Sequence, residues 1–508
     1  MKSGVILVAL ATSFLFDSIN ALTLEKRVVK VDAKQNADGS CYAHTVASGE
    51  TCQYLMTKFT NIKTEANLNK WNANTFNWMG CTGGHPWAGD KVCVSPGTPP
   101  QPASVAGAQC GPQAPGAAFN TKCPLNACCS QFGYCGTTSE FCDNVKSPTG
   151  APGTTGCLSN CGYGTLGTSP AASFKNIVYW LDTTNTKLAS NPSLYDDGTY
   201  DTVHYAFVPI GDTSTGFAID TGKFGTSPFL KLKKAKKVAA FGGWDFSTSP
   251  STYQVFRHIV GDDSTRNQFA DNLVAFVKKY NLDGIDLDWE YPQEQDIPGI
   301  KADYQGNGGK YLSLIKTIRS KMPAGKTLSV SIPSTYWYLK GFPVKDIQNY
   351  IDYFVFMTYD DGVFSSTADA QLHCHVNKTE TVDSLKMLQK AGVQMSKVYG
   401  GLANYGRSFV MSNTKCTAGG CPAKGPAAQG DITITPGLLA DSEINAISDS
   451  TRKVKRWTDT AANCDIMVYD TNSWVSWPKA GERNSMRDFY KSIGLGGSAL
   501  WLGNYFKH

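Results

Sequence analysis

At 508 residues the chain is long enough for about three ordinary domains, or for one large barrel with small modules attached, so a sizeable core is assured. Its net charge of +5 is modest for that length. The densest basic run, Lys231 to Lys237, leads straight into the apolar segment Val238 to Phe241, which marks it as a solvated flank and argues against a nucleic-acid partner.

Met1 and Lys2 precede an apolar stretch, Val5 to Phe16, and Ser18-Ile19-Asn20-Ala21 ends on a small residue. That pattern predicts a cleaved secretory signal over residues 1–21, too short to span a bilayer, and hence a secreted, extracellular or wall-associated protein with no membrane anchor. Residues 22–40 read as a leader or propeptide, in which Lys26-Arg27 offers a dibasic processing site. Twelve of the sixteen cysteines fall between Cys41 and Cys161, in two clusters. Small modules that cannot bury enough apolar surface need covalent staples, so this density predicts two small disulfide-rich modules ahead of a large conventional core. Paired zinc sites would need histidines at ligand spacing, and none accompany the cysteines; no metal is expected.

Residues 41–95 open on Thr45-Val46-Ala47-Ser48-Gly49-Glu50-Thr51, continue through a helical pattern and Trp71-Asn72, and close on Gly89-Asp90-Lys91-Val92-Cys93-Val94. This order resembles a LysM module, a strand-helix-helix-strand fold that binds N-acetylglucosamine polymers. A Pro-rich linker is expected over 96–109. Residues 110–161, with adjacent Cys128-Cys129 and the run Ser130 to Gly136, resemble the hevein-like chitin-binding domain. That resemblance implies the pairs Cys110-Cys129, Cys123-Cys135, Cys128-Cys142 and Cys157-Cys161. It also implies Phe132, Tyr134 and Phe141 as sugar-stacking rings and Ser130 as a hydrogen-bonding partner. A second linker is expected over 162–173.

From residue 174 to 508, strand-like runs alternate with helical patterns. The runs are Ile177–Leu181, Thr202–Ile210, Val238–Gly243, Gly284–Glu290, Leu328–Pro333, Tyr353–Tyr359, Val398–Leu402 and Ser498–Leu502. Eight such repeats predict an α/β fold, the TIM (β/α)8 barrel, with catalytic groups at the C-terminal ends of the strands. Phe269, Leu273, Phe276, Val277 and Tyr280 trace the apolar face of one intervening helix. The stretch of about 410–466 is too long for a loop and reads as a small α+β insertion.

The fourth run, Asp283-Gly284-Ile285-Asp286-Leu287-Asp288-Trp289-Glu290, places Asp286, Asp288 and Glu290 on one face and Ile285, Leu287 and Trp289 on the other. Crowded, poorly solvated carboxylates cannot all ionise, so at least one should hold a proton near neutrality and serve as a general acid. Alternating aspartates also suit hard cations, but an apolar residue at every intervening position favours a buried strand. The string resembles the Asp-x-x-Asp-x-Asp-x-Glu signature of glycoside hydrolase family 18, the chitinases and their relatives. Met357-Thr358-Tyr359-Asp360, Tyr405-Gly406-Arg407-Ser408-Phe409 and Trp501 resemble the family's sixth-, seventh- and eighth-strand motifs. The third-strand Ser-x-Gly-Gly appears as Ala240-Phe241-Gly242-Gly243, without its hydroxyl.

The resemblance implies hydrolysis of β-1,4-linked N-acetylglucosamine with retention, in which the substrate's own acetamido group is the nucleophile and no cofactor takes part. Glu290 would be the acid and then the base, Asp288 and Tyr359 would hold the acetamido group, Asp286 would share a proton with Asp288, and Asp283 would support the strand. Trp501, Trp244, Met357, Asp360, Tyr405 and Arg407 would line the sugar site. Chitin and its oligosaccharides are the implied partners of a monomer. A chitin-binding lectin and the chitin-docking subunit of a killer toxin remain the alternatives.

Overall fold

In the computed structural model the eight expected runs form eight parallel strands: β1 (Lys175–Leu181), β2 (Thr202–Ala206), β3 (Lys236–Gly242), β4 (Gly284–Asp288), β5 (Thr327–Pro333), β6 (Tyr353–Met357), β7 (Val398–Ala403) and β8 (Gly497–Trp501). They close into a barrel in chain order, β8 pairing with β1. The structure describes residues 28–506 apart from 74, 76–77, 79, 82–85, 101–104, 115–120, 144, 147–153 and 363–369. The expected signal segment and Lys26-Arg27 lie outside the described residues. β2 stops at Ala206 rather than at Ile210, because Pro209 has no N–H for a central strand.

Alternation along the strands builds two cores. Ile285, Leu287 and Trp289 join the large cluster between strands and helices, whereas Tyr179, Ala206, Ala240, Val355 and Ala499 belong to the lumen-side cluster. The helix expected near Phe269 spans Asp263–Lys279. Asp262 caps it and Thr265 answers from the third position, and the helix buries Phe269, Leu273, Phe276 and Val277.

Between β7 and β8 an antiparallel sheet of six strands and the helix Asp441–Ser448 form the insertion. It runs from Tyr405 to Trp477, wider than the expected 410–466. Tyr405–Phe409, read as part of the seventh barrel segment, is instead the start of this sheet, because the chain turns out of the barrel at Asn404, between Ala403 and Tyr405. Leu439, Ile444, Met467, Val475 and Trp477 give the insertion its own core. Cys374–Cys464 ties it to the segment after β6, and Cys416–Cys421 closes a short loop within it.

The chain divides into two compact units, one of residues up to Ser104 with 146–155, the other holding everything else. In the first, strand Ala43–Thr45 pairs with Lys91–Cys93 across helices Cys52–Lys58 and Glu65–Asn72, and Cys41–Cys93 and Cys52–Cys81 staple them. The expected leader contributes here: Ala33 is buried in this module's core and Val31 pairs with Phe59. In the second unit, Cys110–Cys129, Cys123–Cys135, Cys128–Cys142 and Cys157–Cys161 hold the hevein-like segment. The expected linker 162–173 lies on the barrel's helices. The Thr165 N–H donates to Gln389 at 3.3 Å, and the Ala171 N–H donates to the Lys491 carbonyl at 3.0 Å. Among the described residues no helix is long and apolar enough to cross a membrane.

Candidate active site

β4 carries its acids inward because its other face is committed to Ile285, Leu287 and Trp289. Asp286 is wholly buried in the lumen. Its Oδ2 accepts the Tyr179 hydroxyl at 2.8 Å and the Ser331 hydroxyl at 3.3 Å, and its Oδ1 accepts the Ser329 hydroxyl at 2.7 Å. His204 Nδ1 lies 3.6 Å from Oδ2. Burial pushes the carboxyl up, but His204, Ser329 and Tyr179 together outweigh it and hold Asp286 below the ordinary carboxylate range.

Asp288 has no comparable support. Its Oδ1 is buried without a hydrogen-bond partner. Burial first, then the charges of Glu290 and Asp286, push this carboxyl well above its usual range. Glu290 sits just past the strand, half-buried at the mouth, with its backbone N–H donating to Ser247 Oγ at 3.0 Å. Burial and the charges of Asp360 and Asp245 raise its carboxyl to about 7, against an opposing hydrogen bond from Tyr291. The strand therefore holds one carboxyl at depth below the ordinary range and two above it that are raised. Among the described residues no hydrogen bond joins Asp286 to Asp288. Asp286 instead accepts three hydroxyls, from Tyr179, Ser329 and Ser331.

Asp283 lies at the opposite end of β4. Its Oδ2 accepts the Lys237 N–H and its carbonyl accepts the Thr327 N–H, both at 2.8 Å, so it clasps β3 and β5 and stands apart from the pocket. Ala240 faces Asp286 in register across β3, as Ser329 does across β5. The hydroxyl that β3 lacks is thus supplied from the other neighbour.

Beyond β6, Asp360 is gripped by Arg407 through two hydrogen bonds of 2.7 Å, with His375 Nδ1 at 3.4 Å. Burial opposes ionisation here too, but Arg407 and His375 hold the Asp360 carboxyl far below its usual range. Tyr359 and Trp501 pack on the lumen-side cluster. Tyr359 meets Tyr405 edge-on at 6.2 Å, and Trp501 stacks on Phe207 at 5.8 Å. The Tyr405 hydroxyl is buried without a hydrogen-bond partner. Met357 and Trp244 are half-buried on the outer cluster, between strands and helices. Peptide bonds Ala206–Phe207, Glu290–Tyr291 and Trp501–Leu502, all at the C-terminal ends of strands, are cis.

Tyr179, His204, Ser329, Ser331 and Ser247 escaped the sequence reading. A signal existed in β5, where Ser329 and Ser331 alternate with Leu328, Val330 and Ile332. Tyr179 and His204 sit in runs of mixed bulk and give no such sign. In the hevein-like segment Phe132 and Tyr134 stand 65% and 42% exposed. Ser130 is buried with Oγ accepting the Tyr134 N–H at 3.3 Å, and Phe141 is half-buried against Cys128, Cys142 and Cys157. Of the described residues, the group spaced to hold a metal is Cys110, Cys123 and Cys129, whose sulfurs are spent in disulfides.

The model for glycosyl hydrolases family 18 matches residues 175–504. The chain belongs to that family. A second model, chitin recognition protein, matches residues 109–161. The chain is 50% identical over 477 residues to the killer toxin subunits alpha/beta of Kluyveromyces lactis, covering 93% of this chain and 41% of that protein. It is 38% identical over 502 residues to the secreted chitinase LysM12 of Penicillium expansum, covering 92% of this chain and 33% of that one. The chain thus spans between about a third and two-fifths of these family members' lengths. Among solved structures, the Ostrinia furnacalis Group IV chitinase shares the barrel with a TM-score of 0.58 at 20% identity, over 66% of this chain and 94% of that one. The Trichuris suis chitinase gives 0.57 at 20% identity, over 66% and 93%.

Proposed function

We propose that this chain is a secreted chitinase that cleaves β-1,4 bonds between N-acetylglucosamine units with retention, the substrate's acetamido group acting as nucleophile. The observation that carries this reading is the placement of Glu290 at the barrel mouth, its carboxyl raised to about 7 by burial, on the same strand face as the buried Asp288 and Asp286. Glu290 gives its proton to the glycosidic oxygen as the bond to C1 breaks. The acetamido oxygen forms the new bond to C1, giving an oxazolinium ion. Asp288 orients that group by accepting its N–H at the unpaired Oδ1, and Tyr359 donates to its oxygen. Water then attacks C1 from the vacated face, passes its proton to Glu290, and the bond from C1 to the acetamido oxygen opens. Trp501 supplies the apolar floor for the ring, while Asp360, Arg407 and Tyr405 line the cleft. The chitin-recognition segment, through Phe132 and Tyr134, and the N-terminal module, read as LysM, hold polymer.

The identity to killer toxin subunits favours a second role for the same chemistry, a chitin-docking arm of a larger assembly. One experiment separates these readings. Wild-type protein and Glu290→Gln are assayed on N-acetylated and fully deacetylated oligomers and on insoluble chitin. The enzyme reading expects cleavage of acetylated oligomers only, β-anomer product, and a loss of about 10²-fold or more in Glu290→Gln with chitin retention intact. Retention without cleavage by the wild type would leave docking alone. Efficient cleavage of deacetylated oligomers would replace the substrate's nucleophile with one from the protein.

A further inference from the structure

The chitin-recognition segment is seated on the barrel rather than strung from it. At the C-terminal end of the helix Lys378–Lys390, the Lys390 ammonium donates to the carbonyls of Asn160 and, at 2.6 Å, Gly162, and approaches Cys128 Sγ at 3.1 Å. In return Asn126 Nδ2 donates to the Lys390 carbonyl at 3.0 Å. Leu125 and Leu166 pack against the barrel's outer core, and Gly164 runs so near the Lys386 carbonyl that a Cβ would not fit. A second seat lies after β5. There Tyr336 packs on the cluster of Cys110, Cys123, Cys129 and Cys135, while Tyr338, two residues on, stacks on Tyr291 at 4.6 Å, next to Glu290. Between them Trp337 is 46% exposed, with Lys340 Nζ 3.4 Å over one face of its ring.

We propose that Lys390 and Leu125 lock the chitin-recognition segment to the barrel, so that Phe132 and Tyr134 and the cleft at Glu290 grip a single polymer chain as one rigid surface, with Trp337 as the platform between. This rests on the chitin reading above. A locked pair of sites loses no linker entropy when the second site engages, so the polymer gains more from both than a flexible tether would give.

The test uses the full chain, with Lys390→Met, which keeps the apolar stem and removes the ammonium, and Leu125→Asn. Leu125 has φ of +57°, a conformation asparagine tolerates, so the second variant removes the apolar contact without straining the backbone. Amide exchange at Thr165, whose N–H bonds Gln389 across the contact, is read beside turnover of an acetylated trimer and of insoluble chitin. Both variants should exchange faster at Thr165 by about tenfold and lose several-fold in turnover of insoluble chitin, with trimer turnover within about twofold of wild type. Unchanged exchange at Thr165 overturns the lock. Faster exchange with undiminished polymer turnover overturns the single surface. A wild type inert towards chitin defeats the functional reading instead, and exchange then decides the lock alone.

Discussion

In the proposed mechanism Glu290 acts as the acid only while it carries a proton, and the surroundings of its carboxyl set when that is. Its carboxyl is raised to about 7 by burial and by Asp360 and Asp245, so the acid form is populated below that pH and lost as pH rises through it. Asp286, held below the ordinary carboxylate range, stays ionised across the same interval. The expected profile of kcat/KM on an acetylated oligomer is therefore a plateau through weakly acidic pH and a fall with one apparent pKa near 7. A profile still rising above pH 8 would assign the acid to another group. The strand's alternation made this triad legible from the sequence, because period two leaves the acids no other face. What tunes them was not legible: Tyr179, His204 and Ser329 reach Asp286 only because three separate strands converge, and nothing in their local sequence marks that meeting.

At the level of elements, the barrel strands could be located because each is a short apolar run set between helical patterns, and the errors fell where local chemistry overrode pattern. Pro209 cut β2 short, and the exit of the chain at Asn404 moved Tyr405–Phe409 into the insertion. The partnership of Cys374 with Cys464 could not be read at all, since a 90-residue separation carries no local signal. That bond joins the insertion to the segment after β6, which carries Asp360 and His375, the former in contact with Arg407 of the insertion. Replacing both cysteines by alanine should lower global stability by about 2–4 kcal/mol. It should also raise KM more than it lowers kcat, because the insertion, whose Arg407 holds Asp360 at the cleft, shifts as a wall of the site while Glu290 does not. Chemical denaturation and steady-state kinetics on the same variant check the two parts. An equal fall in kcat with KM unchanged would show that the wall takes part in the chemical step.

Across the whole molecule, the N-terminal unit has its own buried core around Leu55, Phe59, Leu68 and Val92 and its own two disulfides. Deleting residues 28–104 should thus leave the thermal midpoint of the barrel and the turnover of a short acetylated oligomer unchanged. Retention on insoluble chitin should drop several-fold, as expected when one of two linked binders is lost. A lowered barrel midpoint would mean that the unit supports the fold it precedes. The sequence announced the modules by cysteine density, but not that one of them is seated on the barrel: Lys390 and Leu125 are unremarkable in their own segments, and the bond from Lys390 to Gly162 spans 228 residues. The eight disulfides carry one more consequence. All sixteen cysteines of this sequence pair with one another and none is free, so these 508 residues offer no thiol to another polypeptide. A companion would meet them through surface complementarity or continuous backbone, and a reducing agent acting on these residues would open their own modules.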